Sequence, residues 1–228
     1  MPLDRLRGLL AGRLPVLVLL DLDGTLVDSA PDIARALDAA LAAAGHAPVG
    51  EARVRAWVGR GSRTLVQQAL AHQRGAPAPG HEVEALLAEY LQRYCADCVA
   101  LTGAMPGAPA LLAALAAHGV RLACVTNKPE GIAARVLAHV FPAVRFELLV
   151  GGDSGAGVKP APGPLQAVLG QLGVAPGDAL MIGDSRHDVH AARAAGVAVA
   201  CVANGYNHGE DGRDEHPDLV VDNLLELL

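Results

Sequence analysis

The sequence predicts an α/β protein in which a parallel sheet is covered on both faces by helices and an all-helical block is inserted after the first strand. Three observations predict it. The apolar run 16–20 reads as a buried strand and stops at two aspartates, Asp21 and Asp23, where Gly24 and Thr25 turn the chain away. No strand-like stretch occurs between Ser29 and Thr102. From Gly107 onward helix-like and strand-like segments alternate, which is the pattern of βα units.

The elements follow in order. Residues 1–14 carry Asp4, Arg5, Arg7 and Arg13 between leucines; they read as a short amphipathic helix and not as a signal peptide, having no small-residue cleavage site. Residues 31–44 have apolar positions at helical spacing, with Pro31 early and Gly45 just past the end. Further helices are expected over 53–58 and 62–72, broken at Gly59-Arg60-Gly61, then a loop over 75–80 and a longer helix over 81–98. After Gly107, helices are expected over 109–118, 129–140, 162–172 and 186–195. Strands alternate with them over 120–125, 146–150, 179–182 and 198–202, with a last short strand over 219–221. The organisation is a core of 1–28 and 103–228 with a helical second unit at 29–102, whose crossings near Ser29 and Thr102 are expected to act as hinges.

Composition narrows the function classes. An apolar fraction of 52% supports a sizeable core, while 3% aromatic residues and a formal charge of -6 argue against nucleic acid as partner. No run reaches the ~20 apolar residues of a membrane span. Cys124 and Cys201 sit in apolar runs and read as reduced core residues, which suits the cytoplasm. Cys95 and Cys98 have C-x-x-C spacing, but no second pair completes a zinc site, and they read as ordinary helix residues. The oligomeric state stays open between monomer and dimer.

Carboxylates delivered by a buried parallel strand to the crevice beyond the sheet are candidates for chemistry. Asp21 and Asp23 repel each other, and the pair is tolerated when a divalent cation neutralises it or one acid keeps its proton. Thr126-Asn127 and Asp184 stand at later strand ends, with Asp188 one helical turn beyond Asp184. Lys159 is one of only two lysines, the other being Lys128, and it follows a loop of small residues.

Four signatures occur in order: DLDGTLVDS at 21–29, VTNKP at 125–129, VKP at 158–160 and GDSRHDV at 183–189. Together they resemble the haloacid dehalogenase-like superfamily. The resemblance implies a doubly wound, Rossmann-like sheet with the first strand central, and it identifies the helical block as a cap. It further implies an aspartyl-phosphate mechanism. Asp21 would be the nucleophile and Asp23 the acid/base. Thr126 and the Asn127 amide would bind the phosphoryl oxygens, and Lys159 would be a cation on the phosphate. Mg²⁺ would be held by Asp21, the Asp23 carbonyl and Asp184, with Asp188 behind. Asp23 argues against dehalogenases, which protonate no leaving alkoxide. The lack of lysine between Ser29 and Thr102 argues against a Schiff-base phosphonate hydrolase.

WVGRGSRTLV at 57–66 and GYNHG at 205–209, with the first signature, are similar to the bacterial phosphoglycolate phosphatases. That resemblance implies a small phosphorylated carboxylic acid as substrate, 2-phosphoglycolate first, with Arg60 and Arg63 on the cap loop as substrate-binding candidates. Ala161 after Lys159-Pro160, and His187 within GDSRHDV, depart from the usual family residues. The alternatives are a sugar-phosphate mutase or phosphatase, a pyrophosphatase of the same superfamily, and a non-catalytic regulator.

Overall fold

The computed structural model describes residues 3–207 and 212–228. The chain starts with helix α1 (Asp4–Leu9) and enters strand β1 (Leu17–Leu20), all four of whose residues are fully buried. A two-residue strand β2 (Val27–Asp28) leads into α2 (Ala30–Ala43), α3 (Glu51–Trp57), α4 (Ser62–Arg74) and α5 (Gly80–Ala96), and β3 (Gly103–Ala104) returns to the core. The remainder alternates: α6 (Ala108–Ala117), β4 (Arg121–Val125), α7 (Glu130–Val140), β5 (Leu148–Val150), α8 (Gly163–Leu172), β6 (Ala179–Gly183), α9 (Arg186–Ala195), β7 (Ala198–Val202) and β8 (Leu219–Val221).

The main sheet has the order β5-β4-β1-β6-β7-β8, and every pairing in it is parallel. β1 lies between β4 and β6, with Leu17 opposite both Arg121 and Ala179. Strand alternation divides the core into two layers. Val18, Leu20, Leu122, Cys124, Leu180 and Ile182 pack with α6, α7 and the helical block. Leu17, Leu19, Ala123, Val125, Met181 and Cys201 pack with α8 and α9. A strand buried on both faces needs apolar residues at every position, which is why 17–20 shows no polar alternation.

The α/β class and the central place of the first strand agree with the sequence reading, and most element bounds move by one to three residues. Two features differ more. β2 and β3 pair antiparallel, joining the two crossings into a ribbon with Val27 opposite Ala104 and Asp28 opposite Gly103. Two-residue strands carry no periodicity, so sequence gave no sign of them. The long helix stops at Ala96, so Cys95 is an exposed helical residue while Cys98 lies beyond the helix, buried, and both are free thiols. His208 and Gly209, which end the GYNHG signature, lie outside the described residues.

The crossing is fixed by a single buried acid. Asp32, in the first turn of α2, is fully buried; its Oδ2 accepts hydrogen bonds from the Leu101 amide, the Thr102 amide and the Thr102 hydroxyl, each at 2.8 Å. Arg35 donates to Oδ1 at 2.9 Å. Burial raises the Asp32 pKa, but these donors outweigh it and hold the carboxyl below its ordinary value of 3.8.

Asp32→Ala is expected to lower unfolding free energy by about 2–4 kcal/mol in urea titration, because it leaves buried donors without an acceptor. The folded pKa is depressed, so the wild-type advantage should be complete above the unfolded value and vanish as pH falls through the folded one. An advantage of wild type that grows on acidification would contradict this account.

Candidate active site

Asp21 continues the line of β1, its amide donating to Ile182 O at 2.9 Å, so its side chain stands at the carboxyl end of the central strand. The chain then turns: the Gly24 amide donates to Val27 O, and the Leu26 amide to Leu22 O, both at 2.9 Å. Gly24 has φ +86°, and a Cβ there would overlap the Asp184 carboxylate. Glycine is required at that position by both the turn and the approach of the acid.

β6 supplies the second acid, Asp184, immediately after Gly183. Thr25 Oγ1 donates to Asp184 Oδ1 at 3.1 Å and the Tyr206 amide to Oδ2 at 2.6 Å. Ser185 is the N-cap of α9, and it forms a reciprocal capping box with Asp188. Both the amide and the hydroxyl of Ser185 donate to Asp188 Oδ2, at 3.1 and 2.8 Å. Carboxylate oxygens of Asp21, Asp184 and Asp188 lie within 4.8 Å of one another, and all three residues are buried. An all-carboxylate donor set suits a hard divalent cation.

Lys159 sits inside this group. Its Nζ is 2.8 Å from Asp21 Oδ1 and 2.6 Å from Asp188 Oδ1. Burial alone would lower the ammonium pKa, but Asp188 and Asp21 reverse the shift and hold it above its ordinary value. For Asp21 burial dominates: despite Lys159, the carboxyl is pushed up to about 7. Asp184 is likewise raised well above 3.8, first by burial and then by the charges of Asp21 and Asp188. One lysine does not balance three buried acids, and a divalent cation among them would restore the ionised forms.

β4 delivers Thr126 and Asn127, both buried. The Thr126 hydroxyl accepts from the Lys128 amide at 3.2 Å. The Asn127 side chain clamps the Lys159 backbone: Oδ1 accepts from the Lys159 amide and Nδ2 donates to Lys159 O, both at 2.9 Å. Nδ2 also donates to Gly59 O at 2.9 Å, a direct tie to the loop between α3 and α4. Helix α7 begins after Pro129, which is its N-cap, so neither Thr126 nor Asn127 caps it.

These groups border a small cavity of about 30 Å³ between the sheet end and the helical block. Asp21, Asp23, Thr126, Asn127 and Lys128 line it from the sheet side, and Gly59, Gly61, Ser62, Tyr90 and Tyr94 from the helical side. Arg60 and Arg63 are not among the lining residues. Arg63, in the first turn of α4, has a side chain 55% exposed and is ion-paired with Glu84 on α5; Arg60 is half-buried in the loop before it. The chain reverses at Gly61, φ +86°, and presents Arg63 to α5 instead of the sheet.

Three residues not selected from sequence belong to the site. Lys128 is buried, with Nζ 2.6 Å from Asp23 Oδ1 and 4.8 Å from the centre of the Tyr94 ring. Tyr94 and Tyr206 are the others. Tyr206 accepts at its hydroxyl from the Ser29 and Ala30 amides, both at 2.8 Å, and donates to Asp28 Oδ1 at 2.7 Å, while its own amide holds Asp184. Signals for all three were present: Lys128 is one of two lysines and adjoins Thr126-Asn127, and the chain has only three tyrosines.

Residues 16–196 match the family model described as haloacid dehalogenase-like hydrolase. Phosphoglycolate phosphatase 1 of Pseudomonas aeruginosa is 47% identical over 219 residues, covering 96% of this chain and 80% of the relative. The phosphoglycolate phosphatase of Nitrosococcus oceani is 39% identical over 93% of this chain and 95% of its own length. Among solved structures, a predicted phosphoglycolate phosphatase from Haemophilus somnus superposes with a TM-score of 0.86 at 31% identity, over 92% of this chain and 95% of that one. CbbY from Rhodobacter sphaeroides, solved with xylulose-(1,5)bisphosphate, gives 0.78 at 25% identity, over 93% of this chain and 96% of its own. With its signatures gathered at one sheet end and the family model spanning most of its length, this chain is an enzyme of the haloacid dehalogenase-like hydrolase family.

Proposed function

We propose that the chain hydrolyses a small phosphate monoester in a Mg²⁺-dependent reaction, with 2-phosphoglycolate as the first candidate substrate and glycolate and phosphate as products. The observation that carries this reading is Asp21, buried at the central strand end, beside Lys159 and the other acids and open to a cavity lined by Thr126. Relatives named phosphoglycolate phosphatase at up to 47% identity support the choice of substrate.

In this reading Asp21 attacks phosphorus, the ester P–O bond breaks, and the leaving alkoxide takes a proton from Asp23. Asp23 then removes a proton from a water whose oxygen attacks the aspartyl-phosphate, releasing phosphate and regenerating Asp21. Thr126 and the Asn127 amide hold phosphoryl oxygens, and Lys159 supplies positive charge where charge develops. Asp21, Asp184 and the Asp23 carbonyl would hold Mg²⁺, which when bound neutralises the acids and the phosphate, with Asp188 orienting Lys159 beside them. Residues 29–102 act as a cap over a core of 1–28 and 103–228. A cytoplasmic setting, with Cys95, Cys98, Cys124 and Cys201 as free thiols, belongs to the same reading. A second reading, a sugar phosphate as substrate, is favoured by the likeness to CbbY.

The test is phosphate release from 2-phosphoglycolate, phosphosugars and pyrophosphate with Mg²⁺ present. We expect 2-phosphoglycolate to give the highest kcat/KM, and Asp21→Asn to reduce turnover on the order of 10³-fold or more while the protein stays folded. Wild-type turnover in Asp21→Asn would remove the nucleophile assignment.

Metal and pH are linked through Asp21. Its folded pKa of about 7 exceeds the ordinary 3.8, so between these values the folded form binds more protons than the unfolded chain. Stability of the metal-free protein should therefore fall as pH rises through this window. Adding Mg²⁺ should raise Tm more at pH 8 than at pH 6, where the ion competes with the proton, and a chelator should abolish turnover. Equal Mg²⁺ shifts at both pH values would separate the ion from Asp21.

A further inference from the structure

Lys128 has a burial and pairing that the hydrolytic reading leaves unused. Lys159 Nζ is held between two carboxylates, whereas the described partners of Lys128 Nζ are one oxygen of Asp23, at 2.6 Å, and the face of the Tyr94 ring, at 4.8 Å. An ammonium has three donors. Lys128 lines the cavity, so it has donor capacity to offer there. Tyr94 lines the same cavity, and its buried hydroxyl has Ser29 beside it, short of full hydrogen-bond geometry. A hydroxyl so placed can turn to a second acceptor.

We infer that Lys128 and Tyr94 form a carboxylate-binding subsite that selects phosphate monoesters carrying a carboxylate one carbon from the ester oxygen. This rests on the phosphatase reading and deepens it. A positive charge and a hydroxyl donor on one wall of a cavity match an anion that only accepts hydrogen bonds. A neutral hydroxyl or an alkyl group there would leave Lys128 as it is, shared between Asp23 and the tyrosine. Lys128 holds Asp23 and lines the same cavity as Asp21, so the nucleophile and the ammonium face one ligand. The ammonium can bridge Asp23 and the incoming carboxylate without leaving either.

The experiment compares kcat/KM for 2-phosphoglycolate with that for ethyl phosphate, which has the same ester oxygen and no carboxylate. In Lys128→Met the ratio of the two should fall about 10- to 100-fold, mostly through KM for 2-phosphoglycolate, and in Tyr94→Phe about 3- to 10-fold. Lys128→Arg should recover part of the ratio. Binding of both esters to Asp21→Asn and to Asp21→Asn/Tyr94→Phe, by calorimetry, gives the same comparison without turnover and with a conservative change that keeps the ring. Equal losses for both esters in the Lys128 variants would mean that Lys128 acts only by positioning Asp23, and would overturn the subsite. A wild-type enzyme that cleaves both esters with similar KM would also overturn it while leaving the phosphatase reading intact. Release of phosphate from neither ester, nor from any other monoester, would instead remove the phosphatase reading itself.

Discussion

The structure depends on holding four carboxylates and two lysines together out of water at the end of one strand. Asp21, Asp184 and Asp188 surround Lys159, and Asp23 holds Lys128. Isolated charges would not tolerate this burial. Each is made tolerable by a specific donor: Thr25 and the Tyr206 amide on Asp184, Ser185 on Asp188, Ser29 on Asp23 at 2.5 Å. Much of the local sequence is explained by this need. Gly24 and Gly183 are small because a Cβ at either would overlap an acid, and the α9 cap exists in a form that also fixes Asp188. Burial first, with the charge of Asp188 added to it and only partly offset by Lys159, pushes the Asp21 carboxyl up to about 7.

Legibility in the sequence followed how local each cause is. β1 was legible because burial on both faces leaves an unbroken apolar run, and Asp21, Asp23 and Asp184 because they end such runs. The alternation from Gly107 made the parallel sheet legible in the same way. The β2–β3 ribbon was not, since its two strands are two residues each and are 75 positions apart in the chain. Lys128 was counted as a rare residue but not assigned, because its partner Asp23 is brought to it by the pairing of β1 with β4, a contact between residues 105 apart. Arg63 shows the converse: a residue matching a family pattern was given a role, while its actual partner, Glu84, lies on the next helix of the same block.

The three tyrosines show how a scarce residue type can mark a site. In a chain with 3% aromatic residues the layer between the sheet and α8 and α9 contains none, whereas all three tyrosines lie in the layer on the other face, toward the helical block. Tyr90 and Tyr94 stack at 5.6 Å and form the helical wall of the cavity, while Tyr206 stands outside it, its amide on Asp184. Each combines a large apolar face, which excludes water, with a hydroxyl that must find a polar partner. Their placement is economical for a site that has to be dry and yet rich in charge.

Tyr206 also ties the acid cluster to the entry of the helical block. Its amide holds Asp184, and its hydroxyl accepts from the two amides that begin α2 and donates to Asp28. Asp28 in turn pairs with Arg55 on α3 at 2.8 Å, and the Arg55 guanidinium lies 5.4 Å from the centre of the Tyr206 ring. A rotation of the helical block about Ser29 would therefore strain the loop that carries Asp184's donors. On the other side, Asn127 joins Gly59 of the block to the backbone of Lys159. Both ties end on groups of the charged cluster, so the helical block is anchored to the same residues that hold the acids in place. A ligand that neutralises the cluster acts on the same groups to which the block is anchored.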